Sequence, residues 1–298
     1  MMKRTEWNKT HGSLDERVST RRSELIDRLQ YTFAHGSYEE IDALVAALHS
    51  KGNFEELCEE FFRGCSIADN GYLVPAGFFS DEDGSASLQY AMYELLARSP
   101  DTFLLRHRVT RVKFIRSRLN GTFRLPPKLF SLPRLQALIV RNMKLDRLPA
   151  IVEVNKVVTV VDLEANEIGI FPDALLWLPN LSILNLSYNR IEALPTALCR
   201  LRRLRVLNLK GNVIESIPED WHRMQNLRIL DLSMNRLKLV PNSLCTLGAL
   251  KDLRLSFNDL PASIEAYWEK NIAKEYRGGQ TSPGISSYVS SQHFKGSL

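Results

Sequence analysis

The side chains that most often carry chemistry are few in this sequence and widely spaced. The six histidines are scattered, and Cys58, Cys65, Cys199 and Cys245 match neither the paired spacing of metal ligands nor a disulfide framework. The sequence lacks a phosphate-binding glycine loop, a GxSxG elbow and an HExxH motif. We therefore predict no catalytic residue, metal site or cofactor. The thiols are expected to be reduced, with Cys199 and Cys245 as small core residues.

Basic residues are concentrated in one stretch of a chain whose formal net charge is +5. The stretch from Thr102 to Leu145 contains no aspartate or glutamate but many arginines and lysines. Binding of a phosphate-rich ligand, such as nucleic acid or acidic lipid, by residues 106–144 is therefore one functional alternative. No run approaches the ~18 apolar residues of a membrane-spanning helix, and no secretion signal is recognised. A cytoplasmic or nuclear location is expected.

Leucines recur with a fixed spacing in the second half of the sequence. The first leucine of the pattern LxxLxLxxNxL returns every 23 residues, at Leu181, Leu204, Leu227 and Leu250. The same period extends towards the N terminus with less regular repeats that begin at Val158, Leu135 and Val112. Met143 replaces the turn asparagine in one of these, and Ser117 takes an inward apolar position in another. About seven repeats are thus predicted over 111–261.

These motifs resemble those of leucine-rich-repeat proteins, and the fixed 23-residue form is similar to the intracellular Ras-group repeats of Ras-binding scaffolds of the Sur-8 type. The resemblance covers about half of the chain and implies an α/β solenoid, with a curved parallel β-sheet on the concave side and short helical or extended turns outside. It also implies a protein partner, with a small GTPase or a protein phosphatase as the family's candidates. Stacking is physically required, because one strand cannot bury its apolar side alone.

The asparagine of each repeat can bond backbone groups that the turn leaves unpaired. Met143 cannot do so. Its turn is therefore expected to be less regular, or to be served by the neighbouring Asn142.

Helical patterns flank the repeats. Ser37 and Glu40 have the spacing of a capping box before an apolar stripe at 41–48. Further stripes predict helices at 25–33, at 54–62 after Asn53, and at 88–96, the last one ending near Ser99 because a proline follows. Residues 64–87 read as a loop. A later stripe predicts a capping helix after the repeats.

The expected organisation is a disordered N terminus at 1–13, a helical region at 14–110, repeats at 111–261, a capping helix at 262–276 and a disordered tail at 277–298. Two interpretations of the helical region stay open. It could cap the first repeat, or it could form an independent partner-binding domain.

Repeat positions 5 and 7 alternate with buried leucines and are expected to point out of the concave face. Position 8, near the rim, carries large side chains that are expected contact anchors, because aromatic residues and methionine are enriched in interfaces. These positions predict the partner-binding residues Arg116, Arg118, Arg141, Asp162, Glu164, Asn185, Tyr188, Asn208, Lys210, Asp231, Met234, Arg254 and Phe257.

The charge along this face changes from arginine to acidic and then to polar side chains. That alternation favours a protein partner, because nucleic acid requires a continuous positive track. We therefore predict a monomeric, non-enzymatic scaffold or adaptor that binds a protein on its concave face.

Two further features carry alternatives. Position 3 is apolar from Phe114 to Ile229, which indicates either a binding stripe or the preference of strands for β-branched residues. The segment Arg111–Phe114, RVKF, is similar to the RVxF peptide that docks regulators on protein phosphatase 1, so a regulatory subunit for a protein phosphatase is an alternative function. A docking peptide must be free to add as a strand. Packing of Val112 in the core would disfavour that role.

Overall fold

The computed structural model describes residues 31–32, 36–50, 54–63, 65–74, 86–114, 123–151 and 153–261. The N-terminal elements are α1 (Tyr38–His49), α2 (Phe54–Phe61), β1 (Ser66–Ile67), β2 (Leu73–Val74) and α3 (Ala86–Arg98). The strands that follow are β3 (Arg111–Phe114), β4 (Ala137–Val140), β5 (Val160–Asp162), β6 (Ile183–Asn185), β7 (Val206–Asn208), β8 (Ile229–Asp231) and β9 (Asp252–Arg254). They pair in chain order as one parallel sheet, which is open and curved. The predicted α/β solenoid is confirmed.

Helices α1, α2 and α3 form where the apolar stripes at 41–48, 54–62 and 88–96 predicted them. The Ser37 N–H donates to Glu40 Oε2 at 2.8 Å and the Glu40 N–H to Ser37 Oγ at 3.2 Å, so both halves of the capping box are present at α1. Helix α3 ends directly before Ser99, as the following proline requires. Apart from 31–32, the predicted helix at 25–33 lies outside the described residues. So do Asn53, the predicted C-terminal capping helix and both predicted disordered ends.

A short hairpin covers the free edge of the parallel sheet. Strands β1 and β2 pair antiparallel, and Tyr72 bridges Arg111 at the outer edge of β3. The Gly71 carbonyl accepts the backbone N–H groups of Thr110 and Arg111, both at 3.1 Å. Gly71 has φ +82°, and a Cβ there would lie 1.8 Å from Thr110 Oγ1, so only glycine fits. The segment predicted as a loop at 64–87 thus contains an edge-protecting hairpin that its pattern did not indicate.

One hydrophobic core runs from the N-terminal helices into the repeats. The ring of Tyr93 in α3 contacts Phe114 of β3 with centroids 5.2 Å apart, and Phe114 contacts Phe123 at 4.9 Å. The Ser131 hydroxyl, in the outer turn before β4, donates to the Ala97 carbonyl at 3.1 Å. This shared core favours a cap over an independent domain, because the helices bury the end of the repeat stack.

The first repeat is longer than predicted. Arg111 pairs with Ala137 and Phe114 with Val140, a spacing of 26 residues in place of 23. The prediction that Phe114 lies in the outward third column is therefore wrong, since it occupies inward position 6 and is 2% exposed. The physical reason is the core: a 23-residue phase would place the polar Ser117 at that inward position, where the observed register places an aromatic ring.

The same shift moves the predicted binding positions of the first repeat. Val112, predicted at position 1, pairs with Leu138 and so takes inward position 4. Lys113 takes position 5, where Arg116 was predicted. Arg116 and Arg118 themselves lie outside the described residues.

Asparagines at repeat position 9 join adjacent repeats. The Asn189 Oδ1 accepts the Ile168 N–H of the preceding repeat at 3.1 Å, and its Nδ2 donates to the carbonyls of Leu163 and Leu186 at 2.9 and 3.0 Å. Equivalent bonds are made by Asn166, Asn212, Asn235 and Asn258. The ladder satisfies backbone groups that the turns would otherwise leave buried and unpaired.

The turn that contains Met143 is completed by the next repeat. Asn166 Oδ1 accepts the N–H groups of Met143 and Leu145, both at 3.1 Å, and Nδ2 donates to the Val140 carbonyl at 2.7 Å. The substitute that the sequence suggested, Asn142, has a different role. It adopts a left-handed backbone, and its N–H donates to the Glu164 carbonyl at 3.0 Å.

Candidate binding surface

Position 5 of the repeats was predicted to point freely out of the concave face, but in the four central repeats it is almost completely covered. The four central members are 0%, 1%, 6% and 2% exposed: Asp162, Asn185, Asn208 and Asp231. In each case the side-chain Oδ1 accepts the backbone N–H of position 7, at 3.0–3.2 Å. The expectation that these side chains are exposed is therefore wrong. Short side chains on strands ~4.8 Å apart cover one another and bond to their own turns.

Arg141 belongs to an ion-pair cluster with the acidic residues that were predicted to follow it. Its Nε donates to Asp162 Oδ2 at 2.8 Å, its Nη2 contacts the same oxygen, and Glu164 Oε2 lies 3.5 Å from Nε. Asn185 Nδ2 donates to the other Asp162 oxygen at 3.0 Å. A carboxylate as buried as that of Asp162 requires such partners. The predicted change of sign along the face is therefore compensated within the protein, and Arg141 is not a free cation.

A second arginine is paired at the other end of the sheet. Arg254 Nη2 lies 2.7 Å from Asp252 Oδ2, and its Nη1 lies 3.4 Å from Asp231 Oδ2. The Ser233 hydroxyl also donates to Asp231, at 2.5 Å. Position 7 is covered at this serine and at Ser187, whose hydroxyl donates to the position-5 asparagine at 2.7 Å. Lys210 is the partly exposed cation between the two clusters.

Position 3 forms an apolar ladder along the concave face, separate from the main core. Its members are each less than 8% exposed: Ala137, Val160, Ile183 and Val206. Ile139 and Ile229 pack against them. Because these side chains bury one another, the ladder stabilises the sheet and offers a partner little apolar area.

Position 8 has a left-handed backbone in each repeat from the second to the seventh. The φ values lie between 54° and 67°, at Asn142, Ala165, Tyr188, Gly211, Met234 and Phe257. The N–H of this residue donates to the position-7 carbonyl of the next repeat, as from Tyr188 to Lys210 at 2.7 Å. The turn thus imposes the left-handed conformation whatever the side chain.

Three large side chains of position 8 are exposed, and we call Tyr188, Met234 and Phe257 the anchor column. They are 44%, 44% and 79% exposed. Tyr188 lies over the next repeat, where a Cβ on Gly211 would come within 2.7 Å of its ring, and Lys210 Nζ is 5.6 Å from the ring centroid. The anchor column is the part of the predicted binding face with large apolar side chains that a partner can reach.

The RVKF segment and the basic stretch, on which the two alternative functions depend, make contacts within the protein that limit their availability to a ligand. In the RVKF segment, Val112 and Phe114 are both in the main core, so a phosphatase could not take them into pockets without unfolding the first repeat. In the basic stretch, Arg106 pairs with Asp101 at 3.3 Å and Arg124 pairs with a carboxylate of α1. Several cations that a phosphate-rich ligand would need therefore already have acidic partners.

The cysteine thiols differ in their solvent accessibility. Cys58 and Cys199 are buried, and desolvation raises the pKa of the first to about 12 and of the second to about 11. Cys245 is exposed, so the prediction that it is a core residue was wrong. We expect maleimide at neutral pH to label Cys245 rapidly and to leave Cys58 and Cys199 unmodified until urea is added, because only an accessible thiolate reacts. Peptide mapping by mass spectrometry measures the order, and early labelling of Cys199 would contradict this packing.

Within the described ranges, no group of three or more histidine, cysteine, aspartate or glutamate side chains is placed to hold a metal ion. Among the same residues, none of the helices is long and apolar enough to cross a membrane.

Comparison with known proteins supports the repeat assignment. The family described as "Leucine rich repeat" matches residues 156–214 and 202–260. No curated protein matches the chain.

Several solved structures are similar to part of this chain. The leucine-rich-repeat ectodomain of the plant membrane receptor kinase GASSHO1/SCHENGEN3 from Arabidopsis thaliana, in complex with CASPARIAN STRIP INTEGRITY FACTOR 2, is 29% identical with a TM-score of 0.49, over 59% of this chain and 21% of that one. The structure of the Toll–Spatzle complex of Drosophila is 26% identical with a TM-score of 0.49, over 59% of this chain and 26% of that one. A leucine-rich-repeat protein of Leptospira interrogans is 19% identical with a TM-score of 0.44, over 61% of this chain and 61% of that one.

This chain spans less than two thirds of the length of each of these structures. Seven parallel strands in register, an asparagine ladder between them and the family match together identify residues 156–260 as leucine-rich repeats. Repeats of this family are typically interaction modules.

Proposed function

We propose that this protein is a non-enzymatic scaffold or adaptor that binds a protein partner along the anchor column, at the edge of the concave face where the strands end. The observation that carries the proposal is the exposure of three large side chains on left-handed backbone. Lys210 and the outer atoms of Glu164 supply polar groups beside them. The position-5 residues support this surface from beneath.

The left-handed backbone of the anchor column has a conformational free-energy cost. A left-handed residue with a Cβ costs roughly 1–2 kcal/mol, and glycine or asparagine would avoid much of that. The same position holds the small residues Asn142, Ala165 and Gly211 in the other repeats. Large exposed side chains on strained backbone do not help folding, and strain of this kind is concentrated at functional sites. Contact with a partner is a physical reason for tyrosine, methionine and phenylalanine here.

The spacing of the anchors suits an interface centre. With strands ~4.8 Å apart, Tyr188 and Met234 are about 10 Å apart and Phe257 lies about 5 Å further. An apolar row of about 15 Å matches one face of a short helix at 1.5 Å per residue. Interfaces are commonly centred on a few such aromatic and methionine anchors, surrounded by a polar rim.

The double substitution Met234→Asn with Phe257→Asn tests the proposal. We expect it to weaken the main partner at least about tenfold, because truncated anchors typically cost 2 kcal/mol or more. The free energy of unfolding should stay equal or rise by up to about 1 kcal/mol for each substitution, because asparagine tolerates the left-handed backbone. The measurements are quantitative mass spectrometry of the affinity-purified protein, titration with the purified partner, and urea unfolding.

The matched control replaces two exposed apolar residues outside the sheet, Ile170→Asn with Leu239→Asn. These occupy the same position in two repeats and do not have left-handed backbone. The partner should be retained by the control and lost from the anchor variant. Equal retention by both folded variants would refute a partner on the anchor column.

The finer features of the proposal rest on the 23-residue motif. Its Ras-group form suggests a small GTPase as one class of partner, and a monomeric scaffold in the cytoplasm or the nucleus. Addition of a purified Ras-type GTPase, loaded with either nucleotide, to the anchor variant and its control is the direct test of that partner class.

A further inference from the structure

Position 2, the residue immediately before each strand, forms a second column on the opposite edge of the sheet from the anchors. In the first four repeats the column is neutral, with Thr110, Gln136, Thr159 and Ser182. In the last three it is basic and exposed, with Arg205, Arg228 and Lys251. Arg202 and Arg203, both exposed, lie in the turn that leads into the first of these strands. We call these five residues the basic rim.

Backbone hydrogen bonds place the three column members directly beside one another. The Arg228 N–H donates to the Arg205 carbonyl, and the Lys251 N–H donates to the Arg228 carbonyl, both at 2.8 Å. Like charges on directly adjacent strands repel and destabilise a sheet. Ser182, one strand earlier, shows that this position accepts a small neutral residue.

No member of the basic rim forms an ion pair with any of the described residues. The nearest acidic side chain in sequence, Asp252 next to Lys251, is bonded to Arg254. The carboxylate of Asp220 pairs with Arg223 at 3.8 Å. The rim therefore differs from the basic stretch at 102–145, where several arginines have acidic partners.

We propose that the basic rim is a second binding surface, for an acidic polypeptide segment. Arginine guanidinium groups bind carboxylates through paired hydrogen bonds, and four of the five cations are arginines. The three column cations lie along a row of about 10 Å, given ~4.8 Å between strands. An extended chain advances ~3.3 Å per residue, so three or four residues rich in aspartate and glutamate span the row.

The same observations disfavour nucleic acid as the occupant. A nucleic-acid strand needs cations along many phosphates, and single strands also need aromatic side chains on which bases stack. Here the column becomes neutral at Ser182, and the exposed Tyr188 and Phe257 lie on the opposite edge of the sheet. The positive charge of the column is confined to its last three members, which is long enough for a short acidic peptide.

The test compares two variants of the full chain that lose the same charge. The rim variant carries Arg205→Ser, Arg228→Ser and Lys251→Ser, which copies the residue found at Ser182. The control carries Lys128→Ser, Arg236→Ser and Lys238→Ser at exposed sites away from the rim. Fluorescence anisotropy is measured with a labelled polyglutamate peptide and with a labelled thymidine oligonucleotide of equal charge, at low and at physiological ionic strength. Circular dichroism and urea unfolding verify the fold of both variants.

We expect the wild type and the control to bind the peptide alike, and the folded rim variant to bind it about tenfold more weakly, from the loss of three exposed charge contacts. The oligonucleotide should bind more weakly than the peptide. Equal peptide affinity in both variants would overturn the proposal, as would tighter, rim-dependent binding of the oligonucleotide. Because the anchor column is intact in the rim variant, the outcome is independent of the proposed scaffold function.

Discussion

Replacement of Trp221 by alanine is expected to lower the free energy of unfolding by about 3–5 kcal/mol, the usual cost of deleting a fully buried tryptophan. Trp221 lies in the short outer turn Asp220–Arg223, is 0% exposed and belongs to the main core. Its removal would leave a large cavity between the outer turns of neighbouring repeats. Urea unfolding followed by circular dichroism measures the loss.

Two comparisons make the result specific. Trp177→Ala removes a tryptophan from the outer turn of another repeat, where the side chain is 46% exposed, and should cost less than about 1 kcal/mol. Trp221→Phe should cost far less than Trp221→Ala, because it keeps most of the apolar volume and removes an indole N–H that has no hydrogen-bond partner among the described residues. Similar losses for Trp221→Ala and Trp177→Ala would show that the outer turns are not packed as described.

The second large effect is expected at the asparagine ladder. Asn189→Ala should cost about 3 kcal/mol, because it leaves the Ile168 N–H buried without its acceptor, at ~1–3 kcal/mol, and removes one of two amide donors from the Leu163 and Leu186 carbonyls, at ~0.5–1.5 kcal/mol for each bond. The loss should appear in urea unfolding and as faster hydrogen exchange at the Ile168 amide. That amide is the most direct reporter, since its acceptor is the deleted oxygen.

An exposed asparagine is the matched control. Asn226 Nδ2 donates to the Arg202 carbonyl at 2.8 Å, but both groups are at the surface, where water can replace the bond. Asn226→Ala should therefore change the free energy of unfolding by no more than about 0.5 kcal/mol. If the two alanine substitutions proved equal, the ladder would not be what joins the repeats.

Periodicity made the central repeats predictable. A residue that recurs at a fixed spacing lies beside the equivalent residue of the neighbouring repeat, so the residue type at that position determines the contact. Asn212 and Asn235 show this, since each bonds the preceding repeat in the same way. The capping box at Ser37 was predictable for a related reason, because both of its bonds are local in sequence.

The first repeat was not predictable from the period, because its neighbour on one side is not a repeat. Phe114 packs against Tyr93 from a helix that shares no periodicity with the array. That contact and the one with Phe123 keep Phe114 at an inward position, where the spacing to the next repeat is 26 residues. The hairpin around Gly71 was not predictable for the same reason, because the strand that it bonds, β3, is distant in the chain.

For the candidate site, too, the features that depend on local spacing were predictable and those that depend on distant neighbours were not. The sequence by itself identified the positions that form the concave face and its rims, since strand alternation requires only the repeat register. It could not determine exposure. Asp162 is covered by Arg141 and Asn185, which lie 21 and 23 residues away in the chain but in the adjacent repeats.

The repeat pattern alone therefore determined the solenoid, its asparagine turns and the membership of each column, because these follow from local spacing. The tertiary structure decided the rest. Which columns are covered, which cations are paired, and which large side chains stand exposed on left-handed backbone all depend on neighbours in adjacent repeats. Burial and ion pairing are set by three-dimensional proximity, which the order of residues in one repeat does not contain.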